Sequence, residues 1–162
     1  MDNFLEFFAE TSLIWGLVLV LIIAAIYFLR AYLGYKTVAE EAPADYAYKV
    51  RENMLTADVS EAAYIRAYKR YHAPRGPLHV AGVLSAIAIL TLPALGIFYW
   101  VTFVLWELNG KDKVFAPGLI VHSLLMFFLI IFFWAGLAFM AAKSYHGKAP
   151  ISLQDEIDKE LN

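Results

Sequence analysis

The chain contains no cysteine, which removes disulfides, thiolate metal sites and cysteine nucleophiles together. Enzymatic signatures are missing too. No HExxH, glycine-rich phosphate loop or nucleophile elbow occurs, and Arg75-Gly76-Pro77 reads as a loop breaker. No catalytic residue and no metal site is therefore expected. Charge is scarce: Asp, Glu, Lys and Arg make up 17% of the 162 residues, and the net charge of −2 says nothing about nucleic acid, which is not expected as a partner.

What is abundant is apolar surface. Hydrophobic residues reach 61%, against about 45–50% in soluble domains. Three runs meet the length of about 20 apolar residues needed to cross a bilayer core. Leu13–Leu29 ends at Arg30, Val80–Trp106 ends at Glu107, and Leu119–Ala142 ends at Lys143. The leader Met1–Ser12 carries Asp2, Glu6 and Glu10 without a basic residue. A cleaved signal peptide needs a basic n-region and a small-residue cleavage site. A retained first helix with a translocated acidic leader is expected instead.

Orientation follows from the excess of Lys and Arg in cytoplasmic loops. Arg30, Lys36, Lys49, Arg51, Arg66, Lys69, Arg70 and Arg75, with Lys143, Lys148 and Lys159, place eleven bases on one side. Only Lys111 and Lys113 fall on the other. Trp15 and Trp106 at one boundary and Tyr32, Tyr35 and Tyr145 at the other are suitable interfacial anchors. The expectation is a multi-pass protein of the bacterial inner membrane, N-terminus outside and C-terminus cytoplasmic.

The fold class expected is an all-α integral membrane protein with three transmembrane helices and a cytoplasmic interfacial amphipathic helix. Its parts are an acidic interfacial leader (1–12), helix 1 (13–33), a cytoplasmic connection (34–78) and helix 2 (79–106). An outer turn (107–117), helix 3 (118–142) and an acidic tail (143–162) follow. Asn109-Gly110 is a turn signal, and Pro117 suits a first helical turn, so helices 2 and 3 should form an antiparallel hairpin. In the leader, Phe4, Leu5, Phe7 and Phe8 with Glu6 and Glu10 suit an interfacial turn or two of helix. The tail from Ser152 suits a short helix capped by that serine.

The connection is acidic at Glu40, Glu41 and Asp45, around Pro43, and then changes character. Asp58-Val-Ser-Glu61 has the capping-box spacing, predicting a helix over about 58–72, stopped because Pro74 disfavours helical geometry at Ala73. Tyr64, Ile65, Tyr68, Tyr71 and His72 share one sector of it, with Arg66, Lys69 and Arg70 opposite. Such a helix lies in the headgroup layer, packs on a partner, or docks on its own chain. Tyr64, Arg66, Tyr68, Lys69, Arg70, Tyr71 and Arg75 are the docking candidates, for phospholipids or for larger membrane subunits.

Polar groups inside the spans are few: Ser85, Thr91, Thr102, His122 and Ser123. Three such helices cannot line a transport path alone. Paired imidazoles can hold haem, and His79 and His146 would lie at similar depth, though at the wet headgroup level. His122 lies near the opposite surface, where it could touch a quinone. No cofactor is expected; haem b or quinone contact at His79, His122 or His146 is the alternative. For packing, small residues let membrane helices approach closely. Gly82 and Ala86 should meet Ala135, Ala138 and Ala142. Phe127, Phe128, Phe132, Phe133 and Trp134 form a bulky wall. The expected role is a non-catalytic accessory subunit of a larger respiratory or photosynthetic electron-transfer complex. An assembly or regulatory factor and a haem- or quinone-contacting subunit are the alternatives.

Overall fold

The computed structural model describes residues 2–56, 58–147 and 149–161, with side chains from Ser12 onward. Among the described residues there are five helices and no strand: α1 (Asp2–Arg51), α2 (Glu61–Tyr71), α3 (Arg75–Leu108), α4 (Ile120–Gly147) and α5 (Leu153–Leu161). Three of them, α1, α3 and α4, are long and apolar enough to cross a membrane. The side chains of Phe4, Leu5, Glu6, Phe7, Phe8 and Glu10, and Lys148, lie outside the described residues.

α1 does not stop after its apolar run. It continues as one helix of 50 residues to Arg51, with Pro43 inside it, well past the expected end of helix 1 at residue 33. A mid-helix proline costs about 3 kcal/mol, because it deletes one hydrogen bond and crowds the preceding turn. Ion pairs at helical spacing, Lys36–Glu40 and Asp45–Lys49, flank the proline. Ala42, fully buried, ties this stretch to a core shared with α2 and α5. Termination comes at Arg51, eight residues beyond Pro43. Asn53 takes a positive φ of 54°, while Met54 N–H reaches Lys49 O and Asn53 N–H reaches Val50 O. This is the Schellman arrangement, with asparagine at the left-handed position.

Along α1 the sheltered positions are narrow and regularly spaced. Leu13, Leu17, Val20, Ala24, Tyr27, Ala31, Gly34 and Val38 are buried or half-buried, and most of the residues between them are exposed. Steps alternating four and three put these residues on one narrow stripe of the helix. Gly34 allows a close approach: a Cβ there would stand 3.0 Å from Pro74 Cβ.

The chain divides into two compact units, 1–24 with 82–143 and 25–81 with 144–162. In the second, Ala42, Val59, Tyr64, Ala67, Tyr68 and Ile157 form a core, flanked by Val38, Tyr46, Leu55, Ile65 and Leu153. α2 and α5 pack on each other there. α2 begins at Glu61, and its cap is Ser60, whose hydroxyl accepts from Ala63 N–H at 3.3 Å. Asp58 does not cap it, because Val59 N–H bonds Thr56 O and draws Asp58 into a turn. Ser60 is extended, with φ −68° and ψ 149°, as a cap must be. α5 is capped by Ser152, which accepts from Asp155 N–H at 3.0 Å.

In the first unit, α3 and α4 touch at several points along their length. Trp134 Nε1 donates to Thr91 Oγ1 at 3.0 Å, Phe98 meets Phe133 edge-on at 6.1 Å, and Thr102 meets His122 at 3.0 Å. α3 already starts at Arg75, so Pro77 falls in its first turn, where no N–H is missed. α3 ends in a second Schellman motif: Lys111 N–H to Trp106 O and Gly110 N–H to Glu107 O, with Gly110 at φ 81°. Pro117 is not in the next helix. Ala116-Pro117-Gly118-Leu119 closes with Leu119 N–H on Ala116 O and Gly118 at φ 87°, the type II turn that favours Pro then Gly.

Candidate functional site

The small residues expected to join the hairpin are mostly exposed. Gly82 is exposed and an added Cβ there would touch nothing within 4 Å. Ala135, Ala138 and Ala142 are exposed, and Ala86 is half-buried. The buried positions of α3 are Ala81, Ala88, Thr91, Ala94 and Thr102. Ala81 lies about 100° round the helix from Gly82. Small size was the right signal, but two small stripes lie side by side on α3. The partners of Thr91 and Thr102 select between them.

The candidate docking residues of α2 divide by environment. Tyr64 and Tyr68 are buried, the first completely. Tyr64 packs at 5.5 Å from the Tyr46 ring, under Lys49 Nζ at 5.4 Å, and its hydroxyl donates to Asp45. Burial, then that hydrogen bond and the carboxylate's charge, push the phenol well above its ordinary range. Burial raises Tyr68 as well, helped by the charges of Asp45 and Glu41. Tyr64 and Tyr68 thus face their own chain, while Tyr71 and His72 at the end of the stripe are exposed. On the other face, Glu160 of α5 receives Arg66 Nε at 2.6 Å and an Arg70 nitrogen at 2.7 Å. The Arg66 hydrogen bond first, and then both guanidinium charges, hold the Glu160 carboxyl below the usual range against the opposing effect of burial. Arg75 donates to Arg70 O at 3.2 Å. Lys69 and Tyr71 are exposed.

The histidines are dispersed. His79 Nδ1 lies 2.8 Å from Arg75 O, and its ring meets Tyr145 edge-on at 5.3 Å. His146, exposed, contacts the same tyrosine at 5.2 Å. Tyr145 therefore touches both imidazoles once proposed as a haem pair. Among the described residues no three His, Asp or Glu side chains gather into a metal-holding group.

His122 is the one histidine built into a cavity. It is 5% exposed and sits in the first turn of α4. Thr102, Leu105, Trp106, Asn109, Asp112, Phe115 and Leu125 complete a half-open cavity of about 460 Å³, the size range of small-molecule sites. Tyr99 meets the imidazole edge-on at 5.7 Å. The proton inventory is constrained. Thr102 Oγ1 lies 2.9 Å from Phe98 O, 3.0 Å from Tyr99 O and 3.8 Å from Met126 Sδ, so its single proton has acceptors besides the imidazole. With that proton on a carbonyl, Thr102 accepts from His122 Nε2–H, and Nδ1 keeps a lone pair. Trp106 Nε1 is committed to Asp112 O at 2.7 Å, and Asn109 Nδ2 to Leu105 O at 2.7 Å. Asp112 Oδ1 accepts from Val114 N–H at 2.7 Å. Sequence reading singled out His122 and Trp106, but not the loop residues Asn109, Asp112 and Phe115. Only the Schellman turn at Gly110 brings those back over the end of α3.

No known protein family, curated protein or solved structure matches the chain.

Proposed function

We propose that the protein is a non-catalytic accessory subunit that fastens a small helical cap onto a larger inner-membrane complex. The carrying observation is the surface of the spans. In α4, Phe127, Phe128, Phe132 and Phe139 are all more than half exposed, and in α1 only one narrow stripe is sheltered. Lipid can cover such faces, but large aromatics are also the usual anchors of protein contacts. The spans carry almost no polar groups, and Thr91, Thr102 and His122 are engaged with one another's helices. That composition suits holding rather than conducting. An electron-transfer assembly is the setting proposed, by analogy with small multi-span subunits of such complexes.

In this reading α3 and α4 are an antiparallel hairpin; the pairing of 91 with 134 and 102 with 122 supports it. The acidic leader and the 109–119 loop lie outside, and the α2–α5 cap lies in the cytoplasm. The distribution of Lys and Arg supports that orientation. Because Tyr64 and Tyr68 serve the cap's own core, contact with lipid or partner falls to Lys69, Tyr71 and the unpaired edges of α2.

Mild-detergent extraction followed by a native gel tests the reading. The protein should co-migrate at fixed stoichiometry with a larger membrane protein. A monomer or self-oligomer as the sole species would refute it. Orientation is tested separately, since a cysteine-free chain accepts single reporters. Lys113→Cys should react with an impermeant maleimide on intact cells, and Met54→Cys only after lysis.

A further inference from the structure

The cavity beside His122 has a chemical preference that follows from its proton inventory. We propose that it is a binding site for a hydroxylated ring on an apolar body, the class to which membrane quinols belong, and that it selects the reduced, hydroxyl-bearing form. In the tautomer that directs Nε2–H at Thr102, 3.0 Å away, His122 Nδ1 is an acceptor. No buried polar side-chain atom among the described residues lacks a partner, so the unpaired Nδ1 opens into the cavity. The Trp106 donor is spent on a backbone oxygen and the Thr102 donor on another. At the rim, Asp112 adds a carboxylate, and Asn109 keeps its carbonyl oxygen and one remaining N–H. Acceptors therefore dominate, and at the buried end a ligand must supply the proton.

The walls select the rest of the molecule. Trp106, Phe115, Leu105 and Leu125 line the cavity, and Leu105, Phe115 and Leu125 are exposed at its mouth, where an apolar tail can leave. A ring can lie against Trp106 and Phe115 while one hydroxyl reaches Nδ1. A quinone has only carbonyl acceptors and would oppose the Nδ1 lone pair. A protonated amine could donate, but taking a full charge to an imidazole among apolar walls costs far more than burying a neutral hydroxyl.

The test uses the full chain in lipid nanodiscs under anaerobic conditions, with ligand-detected NMR. The probes are trimethylhydroquinone, trimethylbenzoquinone and octylamine. The hydroquinone should bind at least tenfold tighter than the quinone, and the amine weakly. His122→Phe should abolish that preference. His122→Asn, which puts a carbonyl oxygen near the Nδ1 position, should restore part of it. Equal binding of the two ring forms, tighter binding of the quinone or the amine, no binding of any probe, or a preference that survives His122→Phe would each overturn the proposal. Thr102→Val keeps the cavity shape while freeing the imidazole to change tautomer, so the discrimination should shrink even if His122→Phe fails to fold.

Discussion

Replacing Ile157 by alanine should release α5 from the rest of the chain while leaving the spans intact. α5 has nine residues, below the roughly 12–15 that an isolated helix needs in water. Its order therefore depends on docking. Ile157 is 2% exposed, inside the core built by Ala42, Tyr64, Ala67 and Tyr68. Truncating a buried isoleucine to alanine costs about 2–5 kcal/mol. Each 1.4 kcal/mol is tenfold in an equilibrium, so the undocked population should rise by roughly 30- to 4,000-fold. Amide hydrogen exchange in detergent micelles reads that population locally. Exchange over residues 153–161 should accelerate by on the order of 100-fold. Amides of α3 and α4 should not change. Leu161, exposed at 45%, provides the control, since its alanine variant should shift exchange by less than threefold. Unchanged exchange of α5 in a folded Ile157→Ala protein would refute the docking energetics, as would acceleration spread evenly over all helices.

Other perturbations have equally definite directions. Glu160 titrates below the usual carboxylate range in the folded state. Its contribution is thus present above the unfolded carboxyl pKa and lost as pH falls through the lower folded one. α5 protection should persist at neutral pH and fade in acid, and Glu160→Gln should remove that acid step. Tyr64 has the opposite sign: its raised phenol favours folding below the ordinary phenol range and forfeits that as pH climbs through the folded value. Ultraviolet titration should show it ionising after the exposed tyrosines. Tyr64→Phe removes a hydrogen bond to a charged acceptor, about 1.5–3 kcal/mol, and should lower the thermal midpoint of the cap. Gly34→Ala sets a methyl 3.0–3.1 Å from two carbons of the Pro74 ring. Overpacking of about 1–3 kcal/mol should exceed the helix-propensity gain of about 1 kcal/mol. Gly16→Ala, where nothing lies within 4 Å, should show no such loss in the same melting assay.

Three spans, the scarcity of polar groups within them, and the punctuation of the chain were readable from the residues alone. Each depends on local composition: about twenty apolar residues in a row, Asn109-Gly110, Ala73-Pro74, Ser152 before α5. Even there, local signals were ambiguous where two candidates stood close together. Asp58 and Ser60 both suit a cap, and the turn at Thr56–Val59 gave the place to Ser60. Pro43 reads as a breaker, yet the helix continues through it, with Ala42 beside it buried in a core.

The sequence by itself determined which three segments are long and apolar enough to cross a membrane, because transfer of apolar segments into lipid depends on summed composition and hardly on partners. Tertiary structure alone decided which face of each helix is spoken for. Periodicity put Tyr64 and Tyr68 on one stripe, but only packing against α1 and α5 turned that stripe inward. Arg66 and Arg70 on the opposite face are tied to Glu160, 94 residues away from Arg66. The same holds at His122. Its depth was evident from its place in the chain, while its proton, its open nitrogen and its cavity depend on Thr102 and a loop that returns over α3.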